Sequence, residues 1–205
     1  MPSAPESNRP ASSAAFDVVA LAASAGGLTA LSKVLSGLPP DFPASVVVVQ
    51  HLDPRHRSLM ADILSRRTRL KVKQAEEGDR LIPATVYIAP PDRHLLVNPD
   101  GTLSLSQSEL VHFVRPSADL LFESVAASYR DRAIGVVLSG SGSDGAMGVG
   151  AIKKMRGTVI VQDEKTAEFF GMPGAAIQTG GVDFILRLDE IPSALITLVR
   201  GEETT

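Results

Sequence analysis

Cysteine and tryptophan are both absent from the 205 residues, and aromatic residues make up only 4% of the chain. Without cysteine the chain has no disulfides, no thiol nucleophile and no cysteine-ligated metal. So few aromatic side chains argue against a surface that stacks nucleic-acid bases. No apolar run approaches the roughly 18 residues that cross a bilayer. The net charge of −3 gives no general attraction for nucleic acid, so we expect neither nucleic-acid binding nor membrane insertion.

The first fifteen residues, MPSAPESNRPASSAA, differ in composition from the rest of the chain. Eleven of the fifteen are Pro, Ser or Ala, and the segment has no apolar stretch of the kind found in a secretory signal. It has too little apolar surface to offset the entropy lost on ordering. We therefore predict a disordered tail or linker over 1–15, one domain over 16–200 and a short C-terminal tail over 201–205.

Strand-like and helix-like patterns alternate through that domain. The run SVVVVQ (Ser45–Gln50) is β-branched and uninterrupted, as in a central parallel strand. Two further strands, His94–Val97 and Thr102–Ser106, flank the turn sequence Asn-Pro-Asp-Gly and predict an antiparallel hairpin. Because helical patterns of about ten residues separate the other strands, the predicted fold class is α/β. We expect a doubly wound, mostly parallel sheet with helices on both faces and one small hairpin.

Ligands and chemistry gather at the carboxyl ends of the strands in such sheets. Ser24 follows the first predicted strand, His51 follows the second, and Asp144 lies in a glycine-rich loop after the strand that ends at Leu138. A serine, a histidine and an aspartate at one edge are the components of an acyl-transfer triad. This coincidence makes Ser24, His51 and Asp144 the candidate catalytic residues.

Each of these residues also has a simpler interpretation. A serine in a glycine turn is commonly a helix N-cap, and an aspartate before glycine often caps the helix that follows. A histidine after a strand is commonly a loop residue with its hydrogen bonds satisfied. The triad is favoured because all three residue types occur at the same predicted edge, each on a tight turn.

Two other site classes fit the sequence less well. A dinucleotide fingerprint needs G-x-G-x-x-G and an acidic residue at the end of the second strand. Here Ala22 and Ser24 occupy the first two glycine positions, and the second strand ends in Gln50-His51. The G-x-S-x-G elbow of the α/β-hydrolases is also unmatched, and their chain order is Ser, Asp, His. No cofactor and no metal are therefore expected.

Five motifs, in this order and spacing, resemble the catalytic domain of the chemotaxis protein-glutamate methylesterases (CheB-type). They are ASAGG (23–27), VVVVQH (46–51), RPSADLLFES (115–124), LSGSGSDGAMG (138–148) and FGMPGAAIQTGGVD (170–183). The resemblance runs from about Phe16 to Val199. It implies a doubly wound α/β domain in the cytoplasm that hydrolyses glutamate γ-methyl esters on chemoreceptor cytoplasmic helices and releases methanol. Some members of the family also deamidate receptor glutamines.

The resemblance also implies a role for each candidate residue. Ser24 is expected to be the nucleophile, His51 the general base and Asp144 the residue that orients the histidine. The oxyanion then needs donors, and backbone amides near Ala25 and Ser141 are the candidates.

The chain departs from the family pattern at four positions. Family members usually have Gly at Ala22, often Thr at Ala25, commonly Met at Ser141 and commonly His at Val114. An oxyanion contact made through a backbone amide survives these changes, whereas one made through a threonine hydroxyl does not. None of them removes a triad member, so activity is expected.

The family usually carries an N-terminal receiver domain, which is not expected in this chain. The protein is then either a stand-alone esterase or an excised domain, and a separate response regulator is a candidate partner. Two functions stay open. One is the methylesterase acting on methyl-accepting receptor helices. The other is a catalytically silent module that binds receptors or signalling partners.

A basic segment and three further histidines complete the candidates. Seven Lys or Arg and one acid lie between Arg55 and Lys73, and they either steer acidic receptor helices towards the site or form a solvated face. His56, His94 and His112 are expected on the surface or in the hairpin, without metal-ligand spacing.

Overall fold

The computed structural model describes residues 16–51, 59–111 and 113–201. Nine strands are described in these ranges: β1 (Val18–Ala23), β2 (Ser45–Gln50), β3 (Lys71–Gln74), β4 (Thr85–Ile88), β5 (His94–Val97), β6 (Leu103–Ser106), β7 (Ala133–Val137), β8 (Thr158–Gln162) and β9 (Phe184–Leu186). The helices are α1 (Gly27–Ser36), α2 (Met60–Ser65), α3 (Ala118–Tyr129), α4 (Ala146–Lys154), α5 (Gly171–Gln178) and α6 (Ile191–Arg200). A 3₁₀ turn, Arg130–Arg132, joins α3 to β7.

Seven of the strands form one parallel sheet in the order β3-β4-β2-β1-β7-β8-β9. β1 lies near the centre, and every one of its six residues is buried. Such a strand needs apolar side chains on both faces, which explains the uninterrupted sequence VVALAA. β5 and β6 pair antiparallel outside this sheet. The predicted fold class is confirmed.

Two apolar cores lie on opposite faces of the sheet. Alternate residues of β1 point into each core: Val19 and Leu21 into one, Val18 and Ala20 into the other. Helices α1, α2 and α6 cover the first face. Helices α3, α4 and α5, together with the hairpin, cover the second. The structure therefore has helices on both faces, as predicted.

The order of the strands creates a switch point at the carboxyl edge. From β1 the chain passes first to β2 on one side, and it later returns to β7 on the other side. The loops after β1 and β7 lead to α1 and α4, which lie on opposite faces of the sheet. In doubly wound sheets, ligands bind at the carboxyl edge beside such a point. Both predicted tails, 1–15 and most of 201–205, lie outside the described residues.

Candidate active site

The three candidate residues follow three adjacent strands. Ser24 comes directly after β1, His51 directly after β2, and Asp144 lies in the connection from β7 to α4. Since β1 pairs with both β2 and β7 in parallel, the three residues share the carboxyl edge at the switch point.

The turn that presents Ser24 depends on the two glycines after it. Gly26 has φ 73°, a left-handed conformation that glycine adopts without strain. A Cβ on Gly27 would lie 1.9 Å from Gln50 Oε1 and 2.8 Å from the Ala23 Cβ, so only glycine fits there. Gly26 is the N-cap of α1, and no side chain caps this helix. The simpler interpretation of Ser24 as a helix cap is therefore wrong.

Gln50 joins the Ser24 turn to His51. Its Nε2 donates to the Ser24 carbonyl at 2.8 Å and to the His51 carbonyl at 3.0 Å. The His51 amide donates to the Ala23 carbonyl at 3.1 Å. Gln50 is only 5% exposed, so this connection is shielded from water. The backbones of the serine and histidine turns are thereby held together.

The loop after β7 holds the Ser24 turn from the opposite side. The Ser24 amide donates to the Ser139 carbonyl at 3.0 Å. The Ser139 hydroxyl donates to the Ala25 carbonyl at 2.8 Å and accepts the Phe169 amide at 3.0 Å. A Cβ on Gly140 would lie 3.0 Å from the Ser24 Cβ and 2.3 Å from the Met172 sulfur. The glycine thus lets this loop pack closely against the serine.

His51 and Asp144 are in direct contact. His51 Nε2 lies 2.7 Å from Asp144 Oδ2, and the two side chains are 15% and 4% exposed. Within the described ranges, Ser24 Oγ forms no hydrogen bond. Ser24 itself is half-buried. The structure therefore joins two of the candidates directly and places the third at the neighbouring strand end.

The carboxylate of Asp144 is held by the start of α3. The amide of Ala118 donates to Oδ2 at 2.6 Å, the amide of Asp119 donates to Oδ1 at 3.1 Å, and the Ser117 hydroxyl donates to Oδ1 at 2.8 Å. Burial alone raises the pKa of the Asp144 carboxyl. Hydrogen bonds from His51, the two amides and the hydroxyl outweigh burial and lower the pKa below its ordinary value. Asp144 is therefore an ionised acceptor.

Asp144 does not cap its own helix. Gly145 is the N-cap of α4, with φ 100°, and the carboxylate that accepts amides at the start of that helix is Asp119. The carboxylate points instead to α3 and to His51. The simpler interpretation of Asp144 as the cap of α4 is therefore wrong.

Some backbone amides near Ser24 stay available as donors. The amides of Ser24 and Gly140 are already used, by the carbonyls of Ser139 and Phe169. The amides of Ala25 and Ser141 have no hydrogen-bond acceptor among the described residues. These are the two amides that the sequence singled out, and they lie on the loops that flank the serine.

Three side chains of the site were not predicted from the sequence: Gln50, Ser117 and Ser139. Gln50 carries a signal, because it is a polar residue that ends an apolar central strand next to a candidate histidine. Ser117 and Ser139 lie in quoted motifs, but which atoms they contact depends on how distant segments pack.

In the residues that the structure describes, the basic segment does not converge on this edge. Arg66, Arg67 and Arg69 lie between the end of α2 and the start of β3. Because β3 runs parallel to β4 and β2, its start lies at the amino edge of the sheet, opposite Ser24. Lys73 is paired with Glu76 at 2.9 Å and Asp79 at 2.8 Å. The positions of these four residues therefore favour a solvent-exposed charged face over a surface that steers acidic receptor helices towards Ser24.

The other three histidines are predicted to lie on the surface or in the hairpin. His94 lies in the hairpin, as predicted, but it is 0% exposed rather than on the surface. His56, His112 and the two arginines at 55 and 57 lie outside the described residues. No helix in the described part of the chain is both long and apolar enough to pass through a bilayer.

Comparison with known proteins agrees with this geometry. The family model for the CheB methylesterase matches residues 19–195. A protein of Anaeromyxobacter dehalogenans named protein-glutamate methylesterase/protein-glutamine glutaminase 2 is 46% identical over 191 residues. A Leptospira interrogans protein provisionally named for the same two activities is 41% identical over 183 residues. The match spans 95% of the Leptospira protein and 89% of this chain, but 56% of the Anaeromyxobacter protein and 93% of this chain.

A solved structure gives the same result. The CheB methylesterase catalytic domain of Thermotoga maritima superposes with a TM-score of 0.86 at 38% sequence identity. The superposition covers 90% of this chain and 99% of the Thermotoga domain. The sequence motifs, the sheet order and all three comparisons agree, and the chain belongs to the CheB methylesterase family.

Proposed function

We propose that Ser24, His51 and Asp144 act as a catalytic triad that hydrolyses glutamate γ-methyl esters on the cytoplasmic helices of chemoreceptors. The observation that carries this proposal is the 2.7 Å contact between His51 Nε2 and Asp144 Oδ2 beside the Ser24 turn. Membership of the family supports the ester substrate, and relatives are named for both ester and glutamine hydrolysis. A cytoplasmic location follows from the substrate.

The contact with Asp144 supports a separate role for each nitrogen of His51. Because the Asp144 carboxylate is ionised, it accepts a proton-bearing donor, so Nε2 carries the hydrogen. Nδ1 then holds the lone pair that serves as general base. As Ser24 Oγ attacks the ester carbonyl carbon, its proton passes to Nδ1. Asp144 stabilises the imidazolium that forms.

The tetrahedral intermediate then collapses. The bond from carbon to the methoxy oxygen breaks, the proton on His51 moves to that oxygen, and methanol leaves. A water molecule next attacks the glutamyl-Ser24 ester, with His51 again as the base. The acyl bond to Oγ breaks, the hydroxyl of Ser24 is restored and a glutamate side chain is released. A glutamine substrate follows the same steps and loses ammonia.

The negative charge of the intermediate needs hydrogen-bond donors at the carbonyl oxygen. The amides of Ala25 and Ser141 are the donors we propose, because both lack a protein acceptor within the described residues and both lie on loops bonded to the Ser24 turn. Neither contact uses a side chain. The oxyanion site that we propose therefore does not need the threonine hydroxyl that family members often have at the position of Ala25.

The test is release of methanol from receptor cytoplasmic fragments that carry labelled methyl esters. Ser24→Ala, His51→Ala and Asp144→Asn are each expected to lower kcat by about 10⁴-fold or more, with unchanged folding by circular dichroism. Equal release by all the variants would refute the triad. No release by the wild type from several receptors would favour the binding module.

A second assay does not depend on the receptor. A fluorophosphonate probe reacts only with an activated serine, so it should label the wild type and not Ser24→Ala. Slow labelling of His51→Ala and Asp144→Asn is expected, because proton removal from Ser24 then fails.

A further inference from the structure

His94 forms two hydrogen bonds in the interior of the protein. It begins β5 and is 0% exposed. Its Nδ1 accepts the amide hydrogen of Ser117 at 3.1 Å, and its Nε2 lies 3.0 Å from the carbonyl of Glu109. Since Nδ1 needs a lone pair for the first bond, the ring proton is on Nε2 and is donated to Glu109. The two bonds select one neutral tautomer.

Ser117 connects this histidine to Asp144. Its hydroxyl donates to Asp144 Oδ1 at 2.8 Å. The next two residues, Ala118 and Asp119, donate their amides to the same carboxylate. Three of the donors that hold Asp144 therefore come from Ser117 and the two residues that follow it. His94 Nδ1 accepts the amide of Ser117 and so anchors the start of this segment.

We infer that His94 is a positioning residue, which acts on His51 and Ser24 through Ser117 and Asp144. The inference rests on the proposed function. It also gives the β5–β6 hairpin, which lies outside the main sheet, a role in holding the start of α3. The side chain of His94 contacts Ser117 rather than any triad member, so it takes no part in proton transfer.

The same hairpin offers a matched control. Val97, at the other end of β5, donates its amide to Ser124 Oγ at 3.0 Å and accepts the Ser128 hydroxyl at 2.8 Å. Ser128 lies eleven residues beyond Ser117, which is about 16 Å along a helix. Ser128→Ala thus removes one bond between hairpin and helix at a distance from Asp144.

The variants distinguish positioning from simple structural support. In His94→Asn the amide oxygen takes the place of Nδ1, so kcat should stay within about 3-fold of the wild type. In His94→Gln the amide reaches the place of Nε2 and the acceptor for Ser117 is lost. We expect kcat to fall about 10-fold or more with KM little changed. Ser128→Ala should change the melting temperature but not kcat.

Two further measurements would change if His94 positions Asp144 but not if it only supports the fold. The acid limb of the kcat/KM profile should move to lower pH in His94→Gln, because a loosened Asp144 stabilises the His51 imidazolium less. In an Asp144→Asn background, His94→Gln should cause no further loss of kcat, since both changes act on one element. Additive losses, or an unchanged acid limb, would overturn the inference.

One measurement needs no variant and holds even if His94→Gln does not fold. The ¹⁵N spectrum of the His94 imidazole in the wild type should show the neutral tautomer with its proton on Nε2. A ring protonated on Nδ1 would contradict the inference. If the wild type released no methanol, the proposed function would fail instead, and fluorophosphonate labelling of the same variants would still test His94.

Discussion

Asp119 accepts hydrogen bonds from the start of α4, the helix that follows Asp144, and Asp144 accepts hydrogen bonds from the start of α3, the helix that contains Asp119. Asp144, which precedes α4, accepts the amides of Ala118 and Asp119 at the start of α3. Asp119, on α3, accepts the amides of Gly145 at 2.9 Å and Gly148 at 2.8 Å, at the start of α4. The N-terminus of a helix favours a negative charge. Each carboxylate therefore stabilises the other's helix, and the loop that carries Asp144 is fixed from both sides.

Loss of the Asp119 carboxylate should destabilise the fold and slow the enzyme. Asp119→Ala leaves the amides of Gly145 and Gly148 buried without this acceptor, which costs about 3 kcal/mol or more. Because the Asp144 loop also loosens, kcat should fall. Urea unfolding and methanol release measure the two effects. Asp41→Ala is the acidic control: Asp41 is 78% exposed, lies 3.8 Å from Arg200 and should change stability by less than about 0.5 kcal/mol.

The lowered pKa of Asp144 predicts how stability changes with pH. Its carboxyl is held below the ordinary value of 3.8, so the folded state binds this proton less readily than the unfolded chain. The contribution is therefore complete well above pH 3.8 and is lost as the pH falls through that value towards the folded-state pKa. Asp144→Asn has no such group. Urea unfolding at several pH values from 6 to 3 should show a gap between wild type and variant that shrinks as the pH falls, and a constant gap would contradict the assignment.

The Ser24 turn should not tolerate a methyl group at Gly27. Gly27→Ala would place its Cβ 1.9 Å from Gln50 Oε1, so the turn or Gln50 must move, and both Ser24 and His51 lose their shared support. We expect a lower melting temperature and a loss of kcat of about 10²-fold.

Gly150→Ala is the matched control for Gly27→Ala. Gly150 lies within α4, and a Cβ there meets nothing within 4 Å. A glycine inside a helix costs roughly 0.5–1 kcal/mol relative to alanine, so this variant should be more stable than the wild type with unchanged kcat. A destabilised Gly150→Ala would show that backbone entropy does not govern this helix.

The sequence predicts those parts of the structure that depend on local pattern. β2 has the predicted bounds, because one apolar β-branched run can only be a buried strand. A proline often marks the first helical position, so the sequence predicts a helix start at Pro173. Helix α5 instead begins at Gly171, and Pro173 lies within its first turn, where proline is also accepted. The positions of Ser24 and His51 at strand ends also follow from local pattern, because they need only the ends of β1 and β2.

The contacts around Asp144 could not be predicted in this way. The amides that hold it come from residues 25 and 26 positions earlier in the chain, and the packing of α3 against α4 brings them together. Pro116 predicts a helix start at that residue, but helix α3 begins at Ala118. Ser117 has an extended backbone, with its amide hydrogen-bonded to His94. A lone histidine in a hairpin gives no sign in sequence that it is buried against a helix start.

Ser139 should matter for both stability and rate, because it bridges two segments around the nucleophile. Its hydroxyl joins the carbonyl of Ala25 to the amide of Phe169, so Ser139→Ala leaves two backbone groups without this partner. A cost of about 2 kcal/mol is expected. The peptide plane that carries the Ala25 carbonyl also becomes freer to rotate, and this loosens the turn that presents Ser24 and the Ala25 amide. We expect kcat to fall about 10-fold with KM little changed.

Ser36→Ala is the control for Ser139→Ala. The Ser36 hydroxyl also donates to a backbone carbonyl, that of Lys33, but it is exposed at the end of α1, where water replaces it at little cost. Its loss should change stability by less than about 0.5 kcal/mol and leave kcat unchanged. Equal effects of the two variants on kcat would mean that the bridge does not orient the serine turn. A drop in kcat confined to Ser139→Ala, measured well below both melting temperatures, would link the loop after β7 directly to the chemistry at Ser24.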